Sequence, residues 1–178
     1  MCIIESIQKY KYIIIIVVTL ILIYLLSNKN EHFDNSGFVP TNNNIKGGYS
    51  KDKGDLYVCK IKKLNASGME IEYPGQIAVG EKQCISTNDG SEIKGEPTLF
   101  NSSDYEWIDE KSLATPTGFS YDNFGGKRSL YACRGIINDN NSVQIGKAWR
   151  NYNFCNIPYN GEERLVKPYD FLKINKSV

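Results

Sequence analysis

The chain has 178 residues and a mass of 20.2 kDa, with 21 Lys and Arg against 20 Asp and Glu. A formal charge of +1 lacks the clustered basic excess needed to neutralise phosphates, which argues against nucleic acid as a partner. The single histidine, His32, removes any two-histidine zinc site and leaves no ready Ser-His-Asp triad.

The mean hydropathy of −0.38 averages two unlike parts, because the strongest apolar character sits between Tyr12 and Leu26. Residues 1–11 form a short N-terminus, and residues 12–27 are an uncharged run of about sixteen residues, dominated by Ile, Val and Leu without polar alternation. That is slightly short of the ~20 residues that cross a bilayer core, but Lys9 and Lys11 can snorkel, and Tyr10, Tyr12 and Tyr24 suit the two interfaces. A secretory signal peptide would want a small-x-small cleavage site, and Leu26-Ser27-Asn28-Lys29-Asn30 offers none. The expectation is an uncleaved signal-anchor: one transmembrane helix, then a juxtamembrane linker over residues 28–32. Lys9 and Lys11 against Glu5 before the run, and Lys29 against Glu31 and Asp34 after it, place the N-terminus in the cytosol by the positive-inside rule. The C-terminal body is then extracellular, luminal or on a virion surface. Cys2 falls on the reducing side, while Cys59, Cys84, Cys133 and Cys155 fall on the side where disulfides form. Asn65, Asn101, Asn140 and Asn175 are Asn-x-Ser sequons, hence candidate glycosylation sites there.

The body is one sequence written twice. Gly48-Tyr49-Ser50-Lys51-Asp52 recurs as Gly118-Phe119-Ser120-Tyr121-Asp122, and Leu56-Tyr57-Val58-Cys59-Lys60 recurs as Leu130-Tyr131-Ala132-Cys133-Arg134. In the same order, Pro74-Gly75-Gln76-Ile77-Ala78 answers Ile145-Gly146-Lys147-Ala148-Trp149, Cys84-Ile85 answers Cys155-Asn156, and Asp89-Gly90 answers Asn160-Gly161. Tyr105-Glu106-Trp107-Ile108 is matched to Tyr169-Asp170-Phe171-Leu172. The copies divide as residues 33–110 and 111–178. No segment of the body keeps an apolar period near 3.6. Leu56–Lys62 alternates, with Tyr57, Cys59 and Ile61 on one face, and Gly54-Asp55, Asn88-Asp89-Gly90 and Asn160-Gly161 are hairpin-type turn signals. The body is therefore expected to be all-β. A copy of roughly 70 residues is marginal alone, so the two are expected to share one core in a pseudo-twofold arrangement.

Four body cysteines allow three pairings. The simplest joins Cys59 to Cys84 and Cys133 to Cys155, each closing a loop of roughly 25 residues and contributing about 3 kcal/mol. A four-cysteine zinc site would show C-x-x-C pairs, which are absent, so no metal is expected.

The ordered stretches Leu130-Tyr131-Ala132-Cys133-Arg134, Ile145-Gly146-Lys147, Cys155-Asn156-Ile157-Pro158-Tyr159-Asn160-Gly161-Glu162-Glu163 and Tyr169-Asp170-Phe171-Leu172 resemble the DM-nine repeat family, and the first copy resembles it less closely. The resemblance covers the body from about residue 33 and implies two interlocked β repeats with mannose-type lectin activity and no cofactor. The family's sugar-contacting lysine falls on Lys147, with Gln76 in the first copy, and its retained acids fall on Asp52 and Asp122, with Ser50 and Ser120 where another acid stands in the family. Trp149, two residues beyond Lys147 and so on the same strand face, could stack on a sugar ring or fill the core. Lys147 could equally be a solvated surface lysine, and Asp122 could serve only to shape its loop. The function expected is carbohydrate recognition at a cell or virion surface, with the membrane and mannose-type glycans as partners and a homodimer compatible with it. The alternative is a structural or attachment protein that keeps the fold and binds a protein. No nucleophile, base and orienting group assemble from visible motifs, so no enzyme is expected.

Overall fold

The computed structural model describes residues 37–175, apart from residues 140 and 168. The expected membrane span, Cys2 and the sequon at Asn140 lie outside the described residues. Among the described residues no helix is long and apolar enough to cross a membrane.

The architecture is all-β, as the sequence predicts. The first copy supplies β1 (Lys46–Ser50), β2 (Gly54–Leu64), β3 (Glu70–Ala78), β4 (Cys84–Asn88), β5 (Ser91–Gly95), β6 (Pro97–Leu99) and β7 (Tyr105–Ile108). A three-residue 3-10 turn, Lys111–Leu113, leads into β8 (Pro116–Tyr121), β9 (Lys127–Ile137), β10 (Ser142–Trp149), β11 (Cys155–Tyr159), β12 (Glu162–Val166) and β13 (Tyr169–Ile174). Passing from β2 through β1, β10, β11, β12, β5, β4 and β3 and back to β2 closes a ring of eight strands. The pair β8 and β9 spans from β3 to β10, while β6 lies on β2, and β13 with β7 lies on β9.

The ladders are related by an internal pseudo-twofold, and the copies exchange strands across it. β1 hydrogen-bonds its own β2 but also β10 of the second copy, with Tyr49 opposite Val143; reciprocally β8 pairs β3, with Phe119 opposite Glu72. At another seam Glu163 accepts from the Gly90 amide at 2.9 Å, and Glu92 accepts from the Gly161 amide at 3.3 Å. The two turns that meet there hold Asp89 and Asn160 at φ of 50° and 53°, with Gly90 and Gly161 also left-handed, the conformation of a two-residue type I′ hairpin.

Within each copy one crossing organises the rest. Cys59 is bonded to Cys84 and Cys133 to Cys155, the simplest of the three pairings. Each disulfide ties the second strand of a copy to its fourth, over the strand between. The residue of that middle strand opposite the first cysteine is Gly75 in one copy and Gly146 in the other. A Cβ built on Gly75 would lie inside 3.0 Å of the Ile85 carbonyl, and one on Gly146 inside 3.0 Å of the Asn156 carbonyl. Glycine is needed at both places because the fourth strand folds over the third at close range.

The long strands are buried on both faces. Tyr57, Cys59 and Ile61 do share one face, packed with Phe38, Ile77 and Cys84, but Leu56 and Val58 on the other face pack with Ile145, Ala132 and Leu172 of the second copy. That mixed cluster is the shared core, and it explains why neither β2 nor β9 shows a clean apolar and polar alternation.

One expected correspondence shifts. Leu99 lies opposite Cys59 as Phe171 lies opposite Cys133, so β6, not Tyr105–Ile108, occupies the place equivalent to β13. Tyr105–Ile108 and Tyr169–Leu172 are instead adjacent strands of one ladder, with Ile108 opposite Phe171 and Trp107 opposite Leu172.

Candidate functional site

The pseudo-twofold generates two clefts, each walled by residues of both copies. In the first, Ser50, Asp52, Gln76 and Gln144 gather with Tyr159 and Asn160 around a cavity of about 300 Å³. In the second, Ser120, Asp122, Tyr73 and Trp149 gather with Asn88 and Asp89 around about 870 Å³. The strand registers make these lists counterparts, Ser50 with Ser120, Asp52 with Asp122, Gln144 with Tyr73 and Asn160 with Asp89. The same fold therefore presents a small polar cleft on one side and a larger aromatic one on the other.

Lys147 and Gln76 hold equivalent positions and do equivalent work across the junction. Gln76 donates from Nε2 to Gln144 Oε1 at 2.6 Å and accepts from the Ile145 amide at 2.8 Å. Lys147, only 1% exposed, sends its ammonium from the second copy to the Thr87 carbonyl of the first. Its Nζ also lies 4.5 Å from the Tyr73 ring centroid and 5.4 Å from that of Trp149. It thus sits beneath the second cleft, under two of the rings that line it. Burial disfavours the charged form and pulls its pKa down to about 8, against the attraction of Glu163 and Asp89.

That depression has a testable sign. Between pH 8 and the usual lysine value of 10.5, the unfolded chain holds a proton on Lys147 that the folded one has released. Stability therefore rises with pH across that window, and the gain is given back as pH falls from 10.5 to about 8. Lys147→Met removes the titration. Chemical denaturation of wild type and variant from pH 7 to 10.5 should show wild-type stability rising relative to that of the variant toward alkaline pH; parallel profiles would contradict the burial.

Asp122 uses its carboxylate locally. Oδ1 accepts from the amides of Gly126 at 2.8 Å and Phe124 at 2.9 Å, and Oδ2 faces Arg128 Nη2 at 3.2 Å. The two amide bonds, more than the guanidinium, hold its carboxyl below the ordinary range. It shapes the β8–β9 loop at the rim of the second cleft. Asp52, its counterpart, is exposed at the rim of the first. Trp149 is half-buried, edge-on to Tyr152 with centroids 5.2 Å apart, and borders the cleft with its ring. Lys147, Trp149 and Asp122 are thus brought to one site, and Asp52 to the other.

Tyr73, Asn88 and Asp89 come to the second cleft from the first copy. The strand exchange that brings them cannot be read from residue spacing, although Asp89 had a turn signal. The three described sequon residues also have structural partners: Asn65 Oδ1 accepts from the Ser67 and Met69 amides, Asn101 Oδ1 accepts from Asn44 Nδ2 at 2.5 Å, and Asn175 donates to Asp104.

No family model matches the chain, and no curated protein matches it. Among solved structures it is similar to the nematode sperm cell motility protein MFP2B, with a TM-score of 0.54 at 16% identity over 82% of this chain. The match covers 46% of that protein, so the chain spans about half its length. At that identity the likeness shows a shared fold.

Proposed function

We propose that the chain is a carbohydrate-recognition protein of DM-nine type, held in a membrane by residues 12–27 and displaying its body on a cell or virion surface. The observation that carries this reading is the second cleft. Tyr73, Tyr121 and Trp149 offer ring faces or edges there, and Asn88, Asp89 and Ser120 offer polar side-chain atoms. A pyranose ring stacks its apolar face on an aromatic ring while its hydroxyls bond to side-chain oxygens and amides, so both halves of the needed chemistry are present. In this arrangement Lys147 acts from below, fixing Tyr73 and Trp149, and Asp122 sets the rim. Trp149 and Asp89 take the direct contacts.

The test is a glycan array probed with the full-length protein in detergent micelles. Mannose-type glycans should be retained, and Trp149→Ala should lower the signal at least tenfold without changing the far-UV spectrum. A protein partner is the second reading, favoured by Phe124, which stands 97% exposed at the tip of the loop beside the cleft. A blank array from a folded protein, with a cell-surface protein captured by wild type but not by Phe124→Ser, would decide for that reading.

A further inference from the structure

Beside the second cleft lies another cavity, of about 630 Å³, lined among others by Arg128, Ser129, Tyr131, Trp149, Arg150 and Tyr152. None of its lining residues is acidic. It shares Arg128 and Trp149 with the cleft, so the two adjoin, and their far ends differ in chemistry. The cleft end carries acceptors, Asp89 and Asn88 among them; the other end carries two guanidinium groups next to aromatic rings.

The first copy is an internal control. By strand register, Gly54 stands where Arg128 stands, since Ser50 pairs with Gly54 as Ser120 pairs with Arg128. Val79 follows Ala78 as Arg150 follows Trp149, with Ala78 opposite Leu56 and Trp149 opposite Leu130. The corresponding surface of the first copy is also covered by the chain itself. Phe38 is 3% exposed with its ring 5.3 Å from Tyr57, its amide donates to the Glu81 carbonyl, and its carbonyl accepts from Gly80. The fold therefore does not require an open, basic cavity here. The second copy has one, and its two arginines stand where the first copy has the uncharged Gly54 and Val79.

We infer that this cavity binds the anionic substituent of an acidic glycan, a sulfate ester or carboxylate, whose neutral ring sits on Trp149 in the adjoining cleft. The inference rests on the carbohydrate reading above and specifies its ligand class. Guanidinium groups take oxyanions through paired N–H donors, and Arg128 keeps donors to spare after its single bond to Asp122. Arg150 is exposed and makes no ion pair among the described residues. With a chain charge of only +1, anion binding must come from this local placement and not from a general basic surface.

The full-length protein in neutral detergent is titrated calorimetrically with a mannose oligosaccharide, a heparin-derived oligosaccharide as the sulfate source, and a sialylated oligosaccharide as the carboxylate source. At least one acidic ligand should bind about tenfold or more tightly than the neutral one, the scale of a charge-assisted contact, and should weaken as salt is raised. Arg150→Val, which installs the first copy's residue, should cost that ligand roughly tenfold and leave mannose binding unchanged. Arg164→Gln, which removes an exposed arginine from β12, should leave both unchanged. Equal affinity for neutral and acidic ligands overturns the inference while the carbohydrate reading stands, and so does an equal loss in Arg164→Gln. Binding to an acidic peptide with no response to any saccharide overturns both.

Discussion

Replacing Gly146 with alanine should cost about 3–4 kcal/mol, a large share of the roughly 5–15 kcal/mol that is the whole stability of such a domain. The added methyl group would meet the Asn156 carbonyl inside 3.0 Å, and the atom in its way is backbone, so it cannot move aside as a side-chain tip could. Opening that contact means pulling β11 off β10, and β11 is also tied across β10 to β9 through Cys133–Cys155, which passes over the same point. Gly75→Ala should behave alike, since the Ile85 carbonyl stands in the equivalent place. Gly90→Ala provides the contrast. Its φ is +82° but nothing lies within 4 Å of the new carbon, so the penalty should be confined to backbone strain of about 1–2 kcal/mol. Urea midpoints of the three variants rank the effects. A Gly146→Ala variant no less stable than Gly90→Ala would show that the crossing is looser than described.

The second large effect concerns the two disulfides. They close segments with sequence separations of 25 and 22 residues, and the loop-closure relation gives each about 3.4 kcal/mol at 25 °C. The four bridged cysteines are fully buried, so their removal also opens small voids in two separate apolar clusters. The paired replacement Cys133→Ala with Cys155→Ala should lower stability by about 3 kcal/mol, and removing both bridges should leave little folded protein at 37 °C. Mass analysis under non-reducing conditions, followed by denaturation with and without reductant, measures both points. Free thiols at Cys59, Cys84, Cys133 and Cys155, or a midpoint indifferent to reductant, would count against the pairing.

Much of this fold is legible in the sequence because it is duplicated. The repeated Leu-Tyr-x-Cys and x-Gly-x stretches identify equivalent strands, Asp89-Gly90 and Asn160-Gly161 identify the hairpins, and the similar spacing of the cysteines makes the within-copy pairing the simplest. Duplication also limits what can be read. A match between Ser50 and Ser120 says that their strands are alike, but not that each pairs with the third strand of the other copy, because both pairings satisfy the same local pattern. For that reason Tyr73 and Asp89 were invisible as neighbours of Trp149. The burial of Lys147 is hidden for a different reason: a lysine in a strand normally faces water, and β10 is buried on both faces. The signal for Arg128 and Arg150 lay in the differences between the copies, where Gly54 and Val79 stand instead.

The exchange of β1 and β8 between the copies sets a timetable. During synthesis β2 and β3 can pair soon after they emerge, but β1 has no second neighbour until β10 has been made, and β3 has an open edge until β8 arrives. The first copy therefore waits, with a sheet edge exposed, for the last third of the chain, and contacts of such long range make for slow folding. A chain interrupted after β7 would present both unfinished edges at once. Two such fragments could supply them to each other, so truncation should produce an intertwined pair of chains instead of a half-sized monomer.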